Sequence, residues 1–135
     1  MRRQSEGILH PELAAVIAGL GHGQLLVIAD AGLPIPPGVR RIELAVRCGV
    51  PSFEDVLGAV GSELAVERVV IAAESDSVDG VRIRDILADA FASAPPVDVV
   101  SHEALKELSA GAVAVVRTGE CTPYCNAVLV AGVSF

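Results

Sequence analysis

Leu25-Leu-Val-Ile-Ala-Asp-Ala-Gly-Leu-Pro-Ile-Pro36 is the stretch of this sequence that decides its fold. Its first five residues are continuously apolar, without alternation between apolar and polar positions, which is typical of a short strand covered on both faces. Residues 31–38 then carry three prolines and two glycines, so the chain must leave the sheet in an irregular loop. Asp30 therefore stands at the carboxyl end of a buried strand, where ligands bind in open α/β sheets.

Helices and strands alternate on both sides of this stretch. Pro11 suits the first position of a helix over residues 11–20, whose apolar stripe is Leu13, Val16, Ile17 and Leu20. Gly21 then suits the left-handed residue that ends a helix. Later patterns predict strands near Arg41–Ala45, Arg68–Ala73 and Val97–Val100, a helix capped by Ser52, a helix over Val81–Ala92 and a short helix from Ser101 to Leu108.

The last third of the chain holds two further strands, Ala112–Thr118 and Asn126–Val133. Because only a short loop joins them, we expect these strands to be antiparallel neighbours. Alternating strands and helices that close with such a hairpin predict an α/β fold. The expected architecture is a three-layer α/β/α arrangement with a mixed, mostly parallel sheet and a C-terminal antiparallel hairpin. Residues 1–135 are expected to form one domain, since this length fits a single core.

The composition limits the partners that this protein can have. Hydrophobic residues make up 52% of the chain, yet no apolar run approaches the roughly 18 residues of a membrane helix. We therefore expect no membrane partner and an apolar excess that is buried between identical subunits. The net charge of −7, with Lys106 as the single lysine, argues against a nucleic-acid partner.

The cysteines indicate a reducing compartment. Their odd number, three, does not make a disulfide framework, and Cys48 stands alone in the sequence. Cys121 and Cys125 lack the second ligand pair of a structural zinc site, so no metal is expected. The N-terminus has no apolar leader segment, which also favours a cytoplasmic location.

His22 is the candidate proton-transfer residue. It lies between Gly21 and Gly23, which leave its imidazole unshielded by neighbouring side chains. Histidine titrates near neutral pH and is the usual general acid or base. The structural alternative is a histidine that hydrogen-bonds to a helix end. A dinucleotide-binding loop is excluded, because this glycine-rich segment closes a helix and enters a strand.

Several polar residues could bind a ligand at the strand ends. Asp30 could accept hydrogen bonds from sugar hydroxyls or orient a histidine, but an Asx turn would explain it equally well. His102, at the start of a helix, is by position alone more simply an exposed first-turn residue. Tyr124 and Asn126 offer a hydroxyl and an amide, although turn and edge roles would also account for them.

A series of motifs makes the whole chain resemble the D-ribose pyranase and L-fucose mutarotase family. The motifs follow one another in the same order from near one end of the chain to the other, and the segment from Asp30 to Pro36 is the most specific of them. They are Gly19-Leu-Gly-His22, Val27-Ile-Ala-Asp-Ala-Gly-Leu-Pro-Ile-Pro36, Gly49-Val-Pro-Ser-Phe53, Ser101-His-Glu103, Arg117-Thr-Gly-Glu120, Thr122-Pro-Tyr-Cys-Asn126 and Ala131-Gly-Val-Ser-Phe135.

The resemblance implies an isomerase that interconverts the ring forms of a free aldose without a cofactor. It implies that His22 is the catalytic residue. It also implies substrate contacts from Asp30, His102, Tyr124, Cys125 and Asn126. The assembly that it implies is a homodecamer of two stacked pentameric rings, with sites near the subunit boundaries.

Two departures from the family pattern concern the substrate. Cys125 stands where the ribose branch usually has alanine, and His22 is followed by glycine, as in the fucose branch. The segment from Asp30 to Pro36 favours the ribose branch and hence D-ribose as substrate. The alternatives are an L-fucose or related aldose mutarotase, and a sugar-binding accessory protein without catalytic activity.

Overall fold

The computed structural model describes residues 7–78 and 82–135. Its helices and strands, with one 3₁₀ turn, are α1 (Pro11–Gly19), β1 (Leu25–Ala29), β2 (Arg40–Glu43), α2 (Phe53–Gly61), β3 (Val66–Ala72), the 3₁₀ turn (Ala73–Ser77), α3 (Ile83–Ala90), β4 (Val97–Val100), α4 (His102–Ser109), β5 (Ala114–Arg117) and β6 (Ala127–Ala131). The bounds of β1 and β4 are those that the sequence predicts. Val81, the predicted first residue of α3, lies outside the described residues.

The six strands form one mixed sheet in the order β2-β5-β1-β6-β3-β4. Three of the five neighbouring pairs are parallel, namely β1 with β5, β2 with β5, and β3 with β4. Strand β6 runs antiparallel to both of its neighbours, β1 and β3. The prediction of a mixed, mostly parallel sheet is therefore confirmed.

The predicted C-terminal hairpin is wrong, because β1 lies between β5 and β6. The two strands do run in opposite directions, but each pairs with a different edge of β1. The connecting segment 118–126 passes over the carboxyl end of β1, where the Ala31 amide donates to the Glu120 carbonyl oxygen at 2.7 Å. Spanning one intervening strand needs only about 10 Å, two inter-strand spacings, which a connection of this length supplies easily.

Helices cover both faces of the sheet, as the predicted three layers require, although unequally. Strand β1 alternates between the two faces: Leu26 and Ile28 join one apolar cluster, and Val27 and Ala29 join the other. The first cluster contains buried side chains of α1, α2 and α3, whereas α4 contributes Leu105 to the second. No helix within the described ranges is both long and apolar enough to cross a bilayer.

The helix caps agree with the sequence predictions at the N-termini of α2 and α4 but not at the C-terminus of α1. The hydroxyls of Ser52 and Ser101 accept hydrogen bonds from backbone amides three residues later, as expected of N-caps. Gly21 is not the left-handed stop, because α1 ends at Gly19 and Leu20 is already extended. The positive φ falls instead at Gly23 (84°), whose amide donates to the Ala131 carbonyl oxygen at the entry to β1.

The cysteines are arranged differently from the prediction. Cys48 does not stand alone but forms a disulfide with Cys121, 73 residues away, with Cα atoms 5.7 Å apart. Sequence spacing could not indicate this pair, because the two residues meet only when β2 and β5 lie side by side. Cys125 is a free, buried cysteine.

We predict that Gly61→Ala destabilises the protein, whereas Gly58→Ala on the same helix does not. A Cβ at Gly61 would collide with the Ala90 carbonyl oxygen and crowd the Phe91 ring at 3.2 Å, whereas a Cβ at Gly58 has nothing within 4 Å. Overpacking typically costs about 1–3 kcal/mol, whereas replacing an exposed helical glycine gains about 0.5–1 kcal/mol. Urea denaturation measures the stability change of each variant. Equal denaturation midpoints for the two variants would contradict this packing.

Candidate active site

A cavity of about 340 Å³ opens where β1 and β5 end and α4 begins. Its position agrees with the rule that ligands bind beyond the carboxyl ends of strands in α/β sheets, and its size suits a small ligand. Most of its lining comes from the segment that crosses β1, and the whole lining is Asp30, Gly32, Leu33, His102, Glu120, Cys121, Thr122, Pro123 and Tyr124.

Asp30 is the most buried polar group of this cavity, with 7% of the residue exposed. Its carboxylate accepts hydrogen bonds from the Gly32 amide at 3.0 Å and from Asn126 Nδ2 at 3.2 Å. The hydrogen bond from Gly32 is the Asx turn considered above. Asp30 therefore stabilises this turn and also lines the cavity. Burial raises the pKa of Asp30, while hydrogen bonds from Gly32 and Asn126 oppose the rise.

Glu120 is a second carboxylate in the cavity, and local sequence patterns did not predict it as a site residue. Its Oε1 accepts from the Phe53 amide at 3.1 Å and its Oε2 from the Thr122 hydroxyl at 2.8 Å. Glu120 follows β5 much as Asp30 follows β1, and these strands are parallel neighbours. The sequence signal was nevertheless weaker for Glu120, because residues 118 and 119 separate it from β5, whereas Asp30 directly follows β1.

His102 and Tyr124 form an aromatic wall of the cavity. Their rings meet edge to face, with centroids 4.9 Å apart and planes at 81°. The backbone amide of His102 donates to both carboxylate oxygens of Glu74, at 3.0 and 3.1 Å. His102 Nδ1 is buried and has no hydrogen-bond partner among the described residues. Tyr124 has a φ of 61°, a conformation that is uncommon for a side chain of this size and concentrates at functional sites.

Cys125 and Asn126 lie behind the cavity and do not line it. Asn126 is fully buried, and its Oδ1 accepts from the Asp30 amide at 2.8 Å while its Nδ2 donates to the Asp30 carboxylate. Cys125 packs in the apolar core, and burial together with the charges of Glu120 and Asp30 raises the pKa of its thiol. Both residues therefore support Asp30 from behind.

His22 lies at the opposite end of β1 from the cavity. Its side chain is 58% exposed, and its Nε2 lies 2.7 Å from the Glu67 carboxylate of β3. The five residues of β1 separate His22 from Asp30 by roughly 15 Å, at about 3.3 Å per residue. The structure thus brings Asp30, His102 and Tyr124 together but does not bring His22 to them within one chain. The partner of His22 is a carboxylate, not a helix end.

Comparisons of the sequence and of the structure with known proteins identify the same protein family. The model of the RbsD / FucU transport protein family matches residues 3–134. D-ribose pyranases of Symbiobacterium thermophilum and Variovorax paradoxus are 52% and 56% identical over 128 residues, covering 95% of this chain and 96% of each relative. Bacillus subtilis RbsD complexed with D-ribose matches with a TM-score of 0.91 and 44% identity over 100% of both chains. FucU from Bifidobacterium longum, at 24% identity, shares the fold with a TM-score of 0.79 over 94% of this chain and 97% of its own.

We predict that the Asp30 carboxyl titrates above the ordinary aspartate value of 3.8. The protonated carboxyl then contributes to the free energy of unfolding. This contribution is complete below pH 3.8 and is lost as the pH rises through the higher folded-state pKa. Asn126→Ala removes a hydrogen bond that favours the ionised form and should raise this pKa further. Carbon-13 NMR of the Asp30 carboxyl measures both shifts, and Asp30→Asn identifies the signal. A midpoint at or below 3.8 in the wild-type protein would contradict this account.

Proposed function

The chain belongs to the RbsD/FucU family, and from this premise we propose that it acts as a D-ribose pyranase. This isomerase activity interconverts β-D-ribopyranose and β-D-ribofuranose and thereby supplies the furanose for ribose catabolism. The observation that carries the proposal is the acidic and aromatic cavity at the carboxyl ends of the strands. It occurs in a chain that superposes along its whole length on a relative complexed with D-ribose.

The reaction needs only proton transfers. Ring opening delivers a proton to the ring oxygen and removes one from the anomeric hydroxyl, and reclosure through another hydroxyl reverses these steps without a net redox change. Acid–base assistance of this kind contributes about 10²–10⁴-fold. In the proposed arrangement, Asp30 and Glu120 accept hydrogen bonds from sugar hydroxyls, and Tyr124 fixes the sugar against the wall of the cavity. His102 holds a hydroxyl or accepts the opposite proton.

We assign the proton transfer to the ring oxygen to His22 of a neighbouring copy of the chain. Within one chain, β1 holds this imidazole apart from the cavity, yet the ring is exposed and so open to an adjacent subunit. Glu67 binds Nε2 and thereby fixes the orientation of the ring, which leaves Nδ1 to face the sugar. The complete site then contains Asp30, Glu120, His102 and Tyr124 of one subunit and His22 of the next.

This arrangement supports a ring-shaped homo-oligomer. The end of one subunit that carries His22 would meet the cavity end of the next, which is a head-to-tail contact, and such contacts form a ring when the rotation between subunits closes. The exposed apolar residues that such an assembly could cover include Val46, Val99 and Leu108. The family resemblance favours a decamer of two stacked pentamers. A role in ribose catabolism favours a cytoplasmic location.

We predict that His22→Ala abolishes the enzymatic exchange between ribose ring forms, with a loss of about 10²–10⁴-fold. NMR saturation transfer measures the exchange. Calorimetry should still show that His22→Ala binds D-ribose. The matched control is His10→Asn: His10 Nδ1 accepts from the Leu13 amide at the start of α1, and asparagine keeps an N-cap acceptor. Exchange at the wild-type rate in folded His22→Ala would exclude the assignment. Faster exchange of L-fucose than of D-ribose would favour the fucose branch.

We predict that two inactive variants regain activity when they are mixed. His22→Ala supplies intact cavities and Asp30→Asn supplies intact imidazoles, so random hetero-oligomers should contain about one quarter complete sites. The variants are dissociated together, reassembled and assayed by saturation transfer, and native mass spectrometry gives the subunit number. The absence of any recovered activity in confirmed mixed oligomers would show that His22 does not act across a subunit boundary.

A further inference from the structure

A disulfide stands at the rim of the cavity. Cys48 follows β2, Cys121 follows β5, and both residues are exposed. Cys121 itself lines the cavity, and its two neighbours in sequence, Glu120 and Thr122, are joined by a hydrogen bond. In a reducing compartment, disulfides are usually transient, catalytic or redox-sensing. An exposed disulfide next to a substrate cavity therefore calls for a redox explanation.

The two loops are held together by contacts that do not depend on sulfur. The Gly49 amide donates to the Gly119 carbonyl oxygen at 2.6 Å, and the Gly119 amide donates to the Pro51 carbonyl oxygen at 2.8 Å. The approach is so close that a Cβ at Gly119 would lie 2.5 Å from the carbonyl oxygens of Arg47 and Val50. Because none of these contacts involves a sulfur atom, we expect them to persist after reduction and to keep the two thiols close enough for the disulfide to form again.

What the disulfide adds is a restraint on residues 119–124. The backbone hydrogen bonds hold this segment at Gly119 and at Glu120, whose carbonyl oxygen accepts from the Ala31 amide, whereas Cys121 comes after both residues. Reduction of the disulfide frees the Cys121 side chain. It thereby removes the covalent cross-link nearest to Tyr124 in the sequence. Any loss of order there is transmitted to the Glu120 carboxylate, which contacts Thr122, and to the edge-to-face contact of Tyr124 with His102.

We propose that Cys48 and Cys121 form a reversible thiol–disulfide site that sets the order of the loop 119–124 at the cavity. A low-molecular-weight disulfide such as oxidised glutathione is the oxidant. One protein thiolate attacks it to form a mixed disulfide, releasing the first glutathione thiol, and the other protein thiolate then displaces the second. Overall, the two protein thiols give up two protons and two electrons, and one glutathione disulfide becomes two glutathione thiols. Cys125, 2% exposed, takes no part.

The first test counts thiols in the folded wild-type protein after equilibration with defined glutathione buffers. The oxidised protein should show no fast-reacting thiol, and the reduced protein should show Cys48 and Cys121, while Cys125 reacts only after denaturation. Cys48→Ser should leave a single fast-reacting thiol in the reducing buffer, and in the oxidising buffer that thiol should be held as an unresolved mixed disulfide with glutathione. In the wild-type protein, two fast-reacting thiols that persist in the oxidising buffer, or a stable mixed disulfide in their place, would overturn the proposal.

The second test measures the conformational order of the loop 119–124. Backbone hydrogen exchange of residues 119–124 should be faster in reduced than in oxidised protein, and Cys48→Ser in the reducing buffer should match the reduced wild type. The matched control is Arg47→Lys, which changes an exposed residue next to Cys48 but keeps both cysteines, and it should behave like wild type. Identical exchange in the two redox states would overturn the effect on the loop.

The consequence for D-ribose rests on the proposed function. Reduction should weaken D-ribose binding by about three- to tenfold in calorimetry, the usual effect of one or two extra side chains that must be ordered on binding. Equal affinity of the oxidised and reduced protein would overturn this consequence. A protein that binds no D-ribose in either state would count against the proposed function, whereas thiol counts and hydrogen exchange decide the redox site on their own.

Discussion

The central position of β1, with a parallel strand along one edge and an antiparallel strand along the other, constrains the rest of the structure. Residues 26–29 are fully buried, so both faces of this strand are covered and neither of its edges can be moved without unpairing the sheet. The parallel strand β5 ends, and the antiparallel strand β6 begins, at the same end of β1 as Asp30. The loop after β1 and the segment that connects β5 with β6 therefore converge on one carboxylate.

Under the proposed function, the same strand makes the active site a property of an assembly. His22 and Asp30 are eight residues apart in sequence, and both carry chemistry that ring opening can use. An extended strand between them places them at opposite ends of the sheet, and no rearrangement of loops can shorten it. If both residues act on one sugar, they must come from different subunits. Oligomerisation then completes the catalytic site in addition to burying apolar surface.

Features set by local sequence could be predicted, and features set by the pairing of distant segments could not. The apolar run of β1 and the caps Ser52 and Ser101 act within a few residues, and the structure has them as expected. The hairpin was wrong because the length of a loop does not reveal whether another strand lies beneath it. The Cys48–Cys121 bond was missed for a related reason, since only the pairing of β2 with β5 brings these residues together.

The site itself shows the same division. Asp30 was found because it directly follows a conspicuous strand, whereas Glu120 lay in a segment interpreted as a simple turn. A two-strand hairpin would have kept residues 118–126 at the edge of the sheet. Because this segment must instead pass over the end of β1, it places Glu120, Thr122 and Tyr124 above Asp30. The strand order that local patterns could not reveal is thus what builds the cavity, and a true hairpin here would leave Asp30 without a facing wall.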